Sequence, residues 1–434
     1  MNYQLAEAVI ATFRQEDPST HHEALSKFNY RAWQGTYRWL DASGLALYLL
    51  NRLEVLGIQA AIPGPVLLRL QENAEDNQAN TMHLFQEFMV INREFTRVGL
   101  CYANLKGFTL VPDAFREVGQ RLQLDLDFLV DRSHIFQCQR TLERQGYLLT
   151  GEGPNVKEFK AGNGRLPSLK DLYKPKLQRC VEIHFDDVNG SAGRAFRHDR
   201  LARAGLRRWE DLELPILSDC DRFIALADHL FKHLKGEWTR ASWILEYVNF
   251  VNVNEENYAL WAEVRRCASE SEETKLAIGV ATRVSLQMFD IRRMPDALAW
   301  TIRELPPTVS LWLDRYGKKV VFARFPGTKL YLLLHWAMAR DGIVGSREAK
   351  SPFPLHRPAR ITVKNPSSSL LVNLGKVLEE FRFFLFRLYF HLEQGCYYML
   401  EAAHWKRSVA FLRKADPHQG ELQIRSLDTL ESKE

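Results

Sequence analysis

No stretch of this chain stays apolar for the roughly 18 residues that a membrane-spanning helix needs. The nearest approach, Phe381 to Leu392, is broken by Arg382, Arg387 and His391 and preceded by Glu379 and Glu380. It is expected to be a buried amphipathic helix, with a membrane-surface helix as the other reading. The opening MNYQLAEAVIATFRQED carries acids early and has no basic segment leading into an apolar run, so no signal peptide is expected. The six cysteines (Cys101, Cys138, Cys180, Cys220, Cys267 and Cys396) are scattered. They form no CxxC pair and no Cys/His cluster with zinc spacing. Reduced thiols and a cytoplasmic location follow as expectations. P-loops, dinucleotide fingerprints and nucleophilic triads are missing too. So are internal repeats and low-complexity segments.

What is present is ordinary in bulk. The 434 residues are 46% hydrophobic and 26% charged, which suits a soluble protein of two to three domains with a large core. A net charge of +5 is too mild to argue for nucleic acid, though it would suit an anionic substrate. Up to about residue 95 the pattern is helical. A helix spans roughly Ala42 to Leu56, and a longer one runs from about Pro65 to Val98. Near Gly99 the period changes. LCYANL reads as a strand ending at Lys106-Gly107, Phe108 to Val118 as a helix with Pro112 in its first turn, and Leu124 to Val130 as a strand. A helix from Ser133 to Gln145 follows, with Ser133 as N-cap and Gly146 as C-cap. Further strands are expected near Tyr147 to Leu149, Val156 to Lys160 and Cys180 to Phe185. After Leu201 helices return, most clearly at Asp219 to His233 and Thr239 to Val251. A polar loop lies near 341–368, and the tail beyond Lys414 is charged. The expected class is α+β, a small mixed or antiparallel sheet unit embedded in mostly helical N- and C-terminal regions. The expected division is an N-terminal helical region at 1–95, a catalytic core at 96–195, a helical domain packing on it at 196–320, and a C-terminal, mostly helical region at 321–434.

The chemistry concentrates on the Leu124 to Val130 strand. Asp125 and Asp127 are two apart and share one face, while Leu124, Leu126 and Phe128 share the other. Paired carboxylates repel and are costly to bury. They fit a solvated edge, or a divalent cation between them. Glu182 and His184 share a face of a later strand. If the two strands are neighbours, Asp125, Asp127 and Glu182 converge as three hard oxygen donors suited to Mg²⁺ or Mn²⁺. Such a cluster can hold two ions roughly 4 Å apart. Gly107 bares the backbone for a phosphate, Lys106 puts a cation beside it, and Arg121 could do likewise. Against this stand plainer readings: a solvated strand face, a turn, a polar strand face. His229 and His233 share a helix face, for a polar contact against the α/β unit or for a metal. The basic loop with Lys157, Lys160, Arg165, Lys170, Lys174, Lys176 and Arg179 reads as solvated, or as a guide for an anionic acceptor such as RNA.

The order of these features resembles a known family. Leu105-Lys106-Gly107, Arg121, the Asp125-Leu126-Asp127 strand with its apolar tail, and Glu182-Ile183-His184 are similar to the bacterial "uncharacterised nucleotidyltransferase" family of the polymerase β-like superfamily. So are His229, Lys232 and His233 followed by Trp243-Ile244-Leu245-Glu246. The likeness is strongest from about 98 to 250. Two departures stand out: Lys-Gly replaces the Gly-Ser common in the superfamily, and Glu246 stands where the family often has Asp. The resemblance implies a polymerase β-like sheet unit that transfers a nucleotidyl group from an NTP, with ATP expected, and releases pyrophosphate. It implies Asp125, Asp127 and Glu182 as catalytic and Mg²⁺-binding (or Mn²⁺-binding) residues, and Lys106, Gly107 and Arg121 as phosphate-binding. The acceptor could be a tRNA, a protein or a small metabolite, with no membrane partner. The alternatives are a non-catalytic nucleotide-binding module and a helical scaffold that keeps the fold.

Overall fold

The computed structural model describes residues 1–14, 16–162, 172–174, 179–185, 200–209, 211–342 and 370–415. The expectations placed on Arg165, Lys170 and Lys176, on most of the polar loop near 341–368, and on the tail past residue 415 lie outside the described residues. The described chain forms two compact units. The first takes residues 1–305 and 313–327, the second residues 306–312, 328–342 and 370–415.

A seven-stranded sheet organises the first unit. Its strands are β1 (Tyr102–Leu105), β2 (Leu126–Val130), β3 (Leu148–Gly153), β4 (Val156–Ala161), β5 (Arg179–His184), β6 (Gly205–Trp209) and β7 (Leu212–Ile216). They lie in the order β3-β4-β5-β2-β1-β7-β6. The sheet is mixed: β1 is antiparallel to β2, while β2 with β5 and β1 with β7 are parallel. The β6–β7 hairpin is a correction to the sequence reading, which returned the chain to helices after Leu201. Arg207-Arg208 and Pro215 disguise these two short strands. Helices resume only at Asp219.

Helices α1 (Tyr3–Ala11), α2 (Pro18–Ser26), α3 (Tyr30–Ala42) and α4 (Leu45–Leu56) precede the sheet, and the 34-residue α5 (Gly64–Arg97) leads into it. Along α5, Leu84, Phe85, Phe88, Ile91 and Phe95 recur at three- and four-residue spacing and so share one face. That face packs on Tyr102, Leu126, Phe128, Val181 and Ile183 of the sheet. Phe128 is fully buried, with its ring centroid 5.2 Å from Phe95 and 6.1 Å from Phe88. Burying a ring of that size contributes about 2–3 kcal/mol. Helix α6 (Ile135–Arg144) adds Cys138 and Leu142 to the same core. Polar links cross it as well: Asn104 Nδ2 donates to Asn92 Oδ1 at 2.8 Å and to the Pro215 carbonyl at 2.9 Å. A buried amide needs such partners, and these tie α5, β1 and β7 together.

Two local expectations are corrected. Phe108 to Val118 is not an α-helix; only 3₁₀ turns form, at Gly107–Leu110 and Val118–Gln120. Val111 is extended, at φ −79° and ψ 138°, as a residue before proline prefers, and this stops the first turn. The helix after β2 is opened by Asp131 rather than Ser133. The Asp131 carboxylate accepts from the Ser133 N–H at 2.9 Å, and a 3₁₀ turn at Arg132–His134 precedes α6. Gly146, with φ +85°, follows the end of α6. Beyond the sheet come α7 (Asp219–Leu234) and α8 (Ala241–Val253).

In the second unit, the helices Tyr331–Arg340 and Leu370–Ala415 meet through Trp336 and Trp405, whose ring centroids are 6.2 Å apart. The Phe381 to Leu392 segment is helical, but not buried as expected. Phe381, Phe384, Leu385, Leu388 and Leu392 are 44–59% exposed, whereas Phe390 is buried. Apolar residues lie all round this helix, so covering one side leaves the others open. Among the described residues no helix is long and apolar enough to cross a membrane.

Truncating Phe128 to alanine removes the ring that joins α5 to the sheet. The Phe128→Ala variant is expected to lose about 3–5 kcal/mol, read as a lower urea midpoint for the first unit. An unchanged midpoint would contradict this packing.

Candidate active site

Parallel pairing of β2 with β5 sets Asp127 beside Glu182 and Leu129 beside His184. Alternation sends Leu126, Phe128, Val181 and Ile183 into the core. Asp127, Glu182 and His184 are thereby left together on the opposite face. Their ligand atoms lie within 4.8 Å of one another. From the other side, Leu105 is in register with Asp127, and the next residue, Lys106, donates from Nζ to Asp127 Oδ1 at 3.2 Å. His184 Nε2 lies 2.9 Å from the same oxygen and 3.5 Å from Glu182 Oε2.

The electrostatics follow from this crowding. Burial works against an ionised Asp127, but Lys106 and His184 outweigh it and hold the carboxyl well below the usual carboxylate range. Burial also works against the Lys106 charge, and Asp127 with Asp125 more than offsets it, so the ammonium is held above its ordinary value. Asp125 differs. Burial raises its carboxyl, Asp127 adds to the rise, and Lys106 opposes only in part, leaving it at about 6. The two carboxylates are hard oxygen donors that suit Mg²⁺ or Mn²⁺, and the imidazole adds a softer nitrogen donor.

The Lys106-Gly107 turn is tightly specified. Among the described residues Lys106, with φ +49°, is the only non-glycine in the left-handed region, a conformation that costs a long side chain free energy. Gly107 has φ +47°, and a Cβ there would lie 2.2 Å from Gln123 Nε2. Gln123 donates from that nitrogen to the Asp125 carbonyl at 2.7 Å. This explains why the strand begins at Leu126 and not at Leu124: the backbone before it bonds to a side chain instead of the sheet. Asp125 stands just outside β2 and outside the three-residue ligand group.

Arg121 is engaged rather than open. Its Nη1 donates to Gln123 Oε1 at 2.6 Å and its Nε to Glu246 Oε1 at 3.1 Å. Tyr48 Oη donates to the same Glu246 oxygen at 3.1 Å. Lys106, Arg121, Glu246, Arg222 and His229 line a narrow cavity of about 20 Å³, room for about one water. His229 and His233 pack on Trp243 of α8, with ring centroids 4.7 and 4.1 Å away, an aromatic contact rather than the polar one expected against the α/β unit. Among the described residues they join no third metal ligand. Three of the described basic-loop residues are paired: Lys157 with Glu152 at 3.0 Å, Lys160 with Glu158 at 2.6 Å, and Arg179 with Glu87 at 2.7 Å.

The sequence pointed to Asp127, Glu182, Lys106 and Gly107, and the fold brings these together. His184 was left out of the expected site. Its signal was its place two residues after Glu182 on the same strand face, which makes it a donor wherever Glu182 is one.

The model of the family described as uncharacterised nucleotidyltransferase matches residues 29–283 of this chain. No curated protein matches it. Among solved structures it is similar to the lincosamide antibiotic adenylyltransferase LnuA in its lincomycin-bound form. The TM-score is 0.28 and the identity 17%, covering 39% of this chain and 96% of that one. So slight a likeness says nothing about a substrate here.

The raised Asp125 carboxyl gives a pH test on metal-free protein. A carboxyl raised from 3.8 to about 6 binds more protons folded than unfolded, so its contribution to stability falls as pH rises through about 6. Asp125→Asn is expected to melt above the parent at pH 8, with the gap closing as pH falls below about 4. A gap that stays constant, or widens in acid, would refute the assignment.

Proposed function

The chain belongs to the uncharacterised nucleotidyltransferase family, matched across residues 29–283, and we propose that it moves a nucleotidyl group from an NTP, ATP in the first instance, to an acceptor hydroxyl with release of pyrophosphate. The observation that carries this reading is the convergence of Asp127, Glu182 and His184 beside the Lys106-Gly107 turn. Asp125, Asp127 and Glu182 would hold Mg²⁺ or Mn²⁺, with His184 as a further donor. A bound cation neutralises triphosphate charge and polarises the acceptor oxygen.

The chain's own residues then position and balance charge. Lys106 sits close enough to Asp127 to share its ammonium with a phosphate oxygen. Gly107 leaves a bare backbone where that phosphate approaches. Arg121, fixed by Glu246 and Gln123, adds positive charge beside them. Glu182 takes the proton of the acceptor hydroxyl as its oxygen attacks the α-phosphorus. The core at 96–195, its sheet completed by the β6–β7 hairpin, carries this chemistry, with 1–95 and the helices after Asp219 flanking it in sequence. The acceptor is a tRNA end, a protein side chain or a small metabolite, and the setting is the cytoplasm.

Incubation with α-labelled NTPs, Mg²⁺ and cell extract tests the reading. The wild type is expected to label an acceptor and release pyrophosphate. Asp127→Asn should cut labelling by about a hundredfold or more. Equal labelling by both proteins would overturn the site. NTP binding with no transfer to any acceptor would leave an inert nucleotide-binding module instead.

A further inference from the structure

Among the described residues, the three cations that line this cavity, Lys106, Arg121 and Arg222, are all matched to carboxylates. Lys106 pairs with Asp127 at 3.2 Å and Arg121 with Glu246 at 3.1 Å. Arg222 pairs with Asp113 and Asp219, each at 2.6 Å. Arg240 has no ion-pair partner among the described residues, and its Nε is buried without an acceptor. Its guanidinium instead lies over the Trp243 ring, 5.3 Å from the centroid. Trp243 packs on His229, and His229 lines the same cavity as Lys106 and Arg121. A wall of successive ring contacts thus runs from His229, in the cavity lining, through Trp243 to Arg240, which stands outside that lining.

That wall carries uncompensated charge at one end only. Burial keeps both histidines neutral, His229 well below its ordinary value and His233 at about 4. Arg240 remains a partly buried cation with no direct ion pair among the described residues and its Nε shut away from an acceptor, an unfavourable state. Burial and then Arg121 press against its charge, while Tyr173, Glu246 and Asp125 lie near enough to offset part of this without bonding to it. A stacked guanidinium is weakly hydrated, and its fork matches two phosphate oxygens at once. An arriving phosphate would remove the penalty that the protein alone leaves standing.

We propose that Arg240 is an anion site for the terminal phosphates of the NTP, the pair that departs as pyrophosphate. The proposal rests on the nucleotidyl-transfer reading. In that step the acceptor oxygen bonds to the α-phosphorus while the bond from that phosphorus to the bridging oxygen breaks. The electron pair leaves on pyrophosphate, and the acceptor proton passes to Glu182. Negative charge grows on the departing group, where a fixed cation is most effective. Arg240 thereby also selects triphosphates over monophosphates.

Calorimetric titration of wild type, Arg240→Gln and Arg240→Lys with inorganic pyrophosphate, Mg²⁺·ATP and AMP tests this. Arg240→Gln is expected to weaken pyrophosphate and ATP by about ten- to a hundredfold while AMP affinity and melting temperature hold. Arg240→Lys should recover part of the loss, since the charge returns without the fork. Unchanged affinity for pyrophosphate and ATP would overturn the proposal, as it would if Arg240 served a phosphate on the acceptor. Equal weakening of AMP would overturn it too, because the contact would then lie at the α-phosphate or the base. If pyrophosphate binds through Arg240 yet no NTP is bound, the anion site stands and the nucleotidyl-transfer reading falls.

Discussion

Carboxylates on adjacent strands repel one another, and taking them out of water makes the repulsion worse. The parallel register of β2 and β5 nevertheless sets Asp127 directly beside Glu182. The arrangement persists because two cationic or proton-bearing groups meet at one oxygen, Asp127 Oδ1: Lys106 from the turn just after β1 and His184 from β5. Remove the register and these four side chains have no reason to meet. The site is therefore a property of three neighbouring strands rather than of any one motif.

The opposite face of the same strands supplies the rigidity. Phe128 and Ile183 alternate with Asp127, Glu182 and His184, so the packing of α5 on the core fixes the height and spacing of the acids. A one-residue slip of β2 would turn Phe128 outward and Asp127 into the core, and the burial of the aromatic cluster opposes it. Before β2, the run Tyr48, Glu246, Arg121, Gln123 and the Asp125 carbonyl fixes the approach to the strand. Glu246, which stands where the family often has Asp, thus bonds Arg121 directly and ties helix α8 to the site.

Much of this was legible in the sequence because period-2 alternation is a local signal. It placed Asp127 on one face and Phe128 on the other, and it put Glu182 and His184 on a shared face. The change of period near Gly99 marked where helices give way to the sheet. Other features depend on tertiary contacts. Alternation does not reveal that β2 and β5 run parallel, nor that Gln123 captures the Asp125 carbonyl and keeps that aspartate out of the strand. The β6–β7 hairpin escaped notice because Arg207, Arg208 and Pro215 interrupt its apolar pattern. The helix expected after Lys106 failed at Val111, whose proline neighbour favours extended backbone. In the second unit, the apolar run near Phe384 suggested burial, yet composition does not say which side of a helix is covered. Arg240 was invisible for a related reason: whether a cation is paired is known only once its neighbours are.

Charge is thus distributed in two places. The acids sit at the strand ends, partly neutralised by Lys106 and His184, and the unmatched guanidinium of Arg240 stands along the aromatic wall. An NTP with its cation would complement both. The most direct measurement is the anomalous diffraction of crystals grown with Mn²⁺ and a non-hydrolysable NTP analogue. The account predicts an anomalous peak bonded to the Asp127 carboxylate and adjoining Glu182, with the triphosphate running from Lys106 toward Arg240. A nucleotide bound elsewhere, or an Asp127 still paired only with Lys106 and His184 while Mn²⁺ lies away from it, would contradict it.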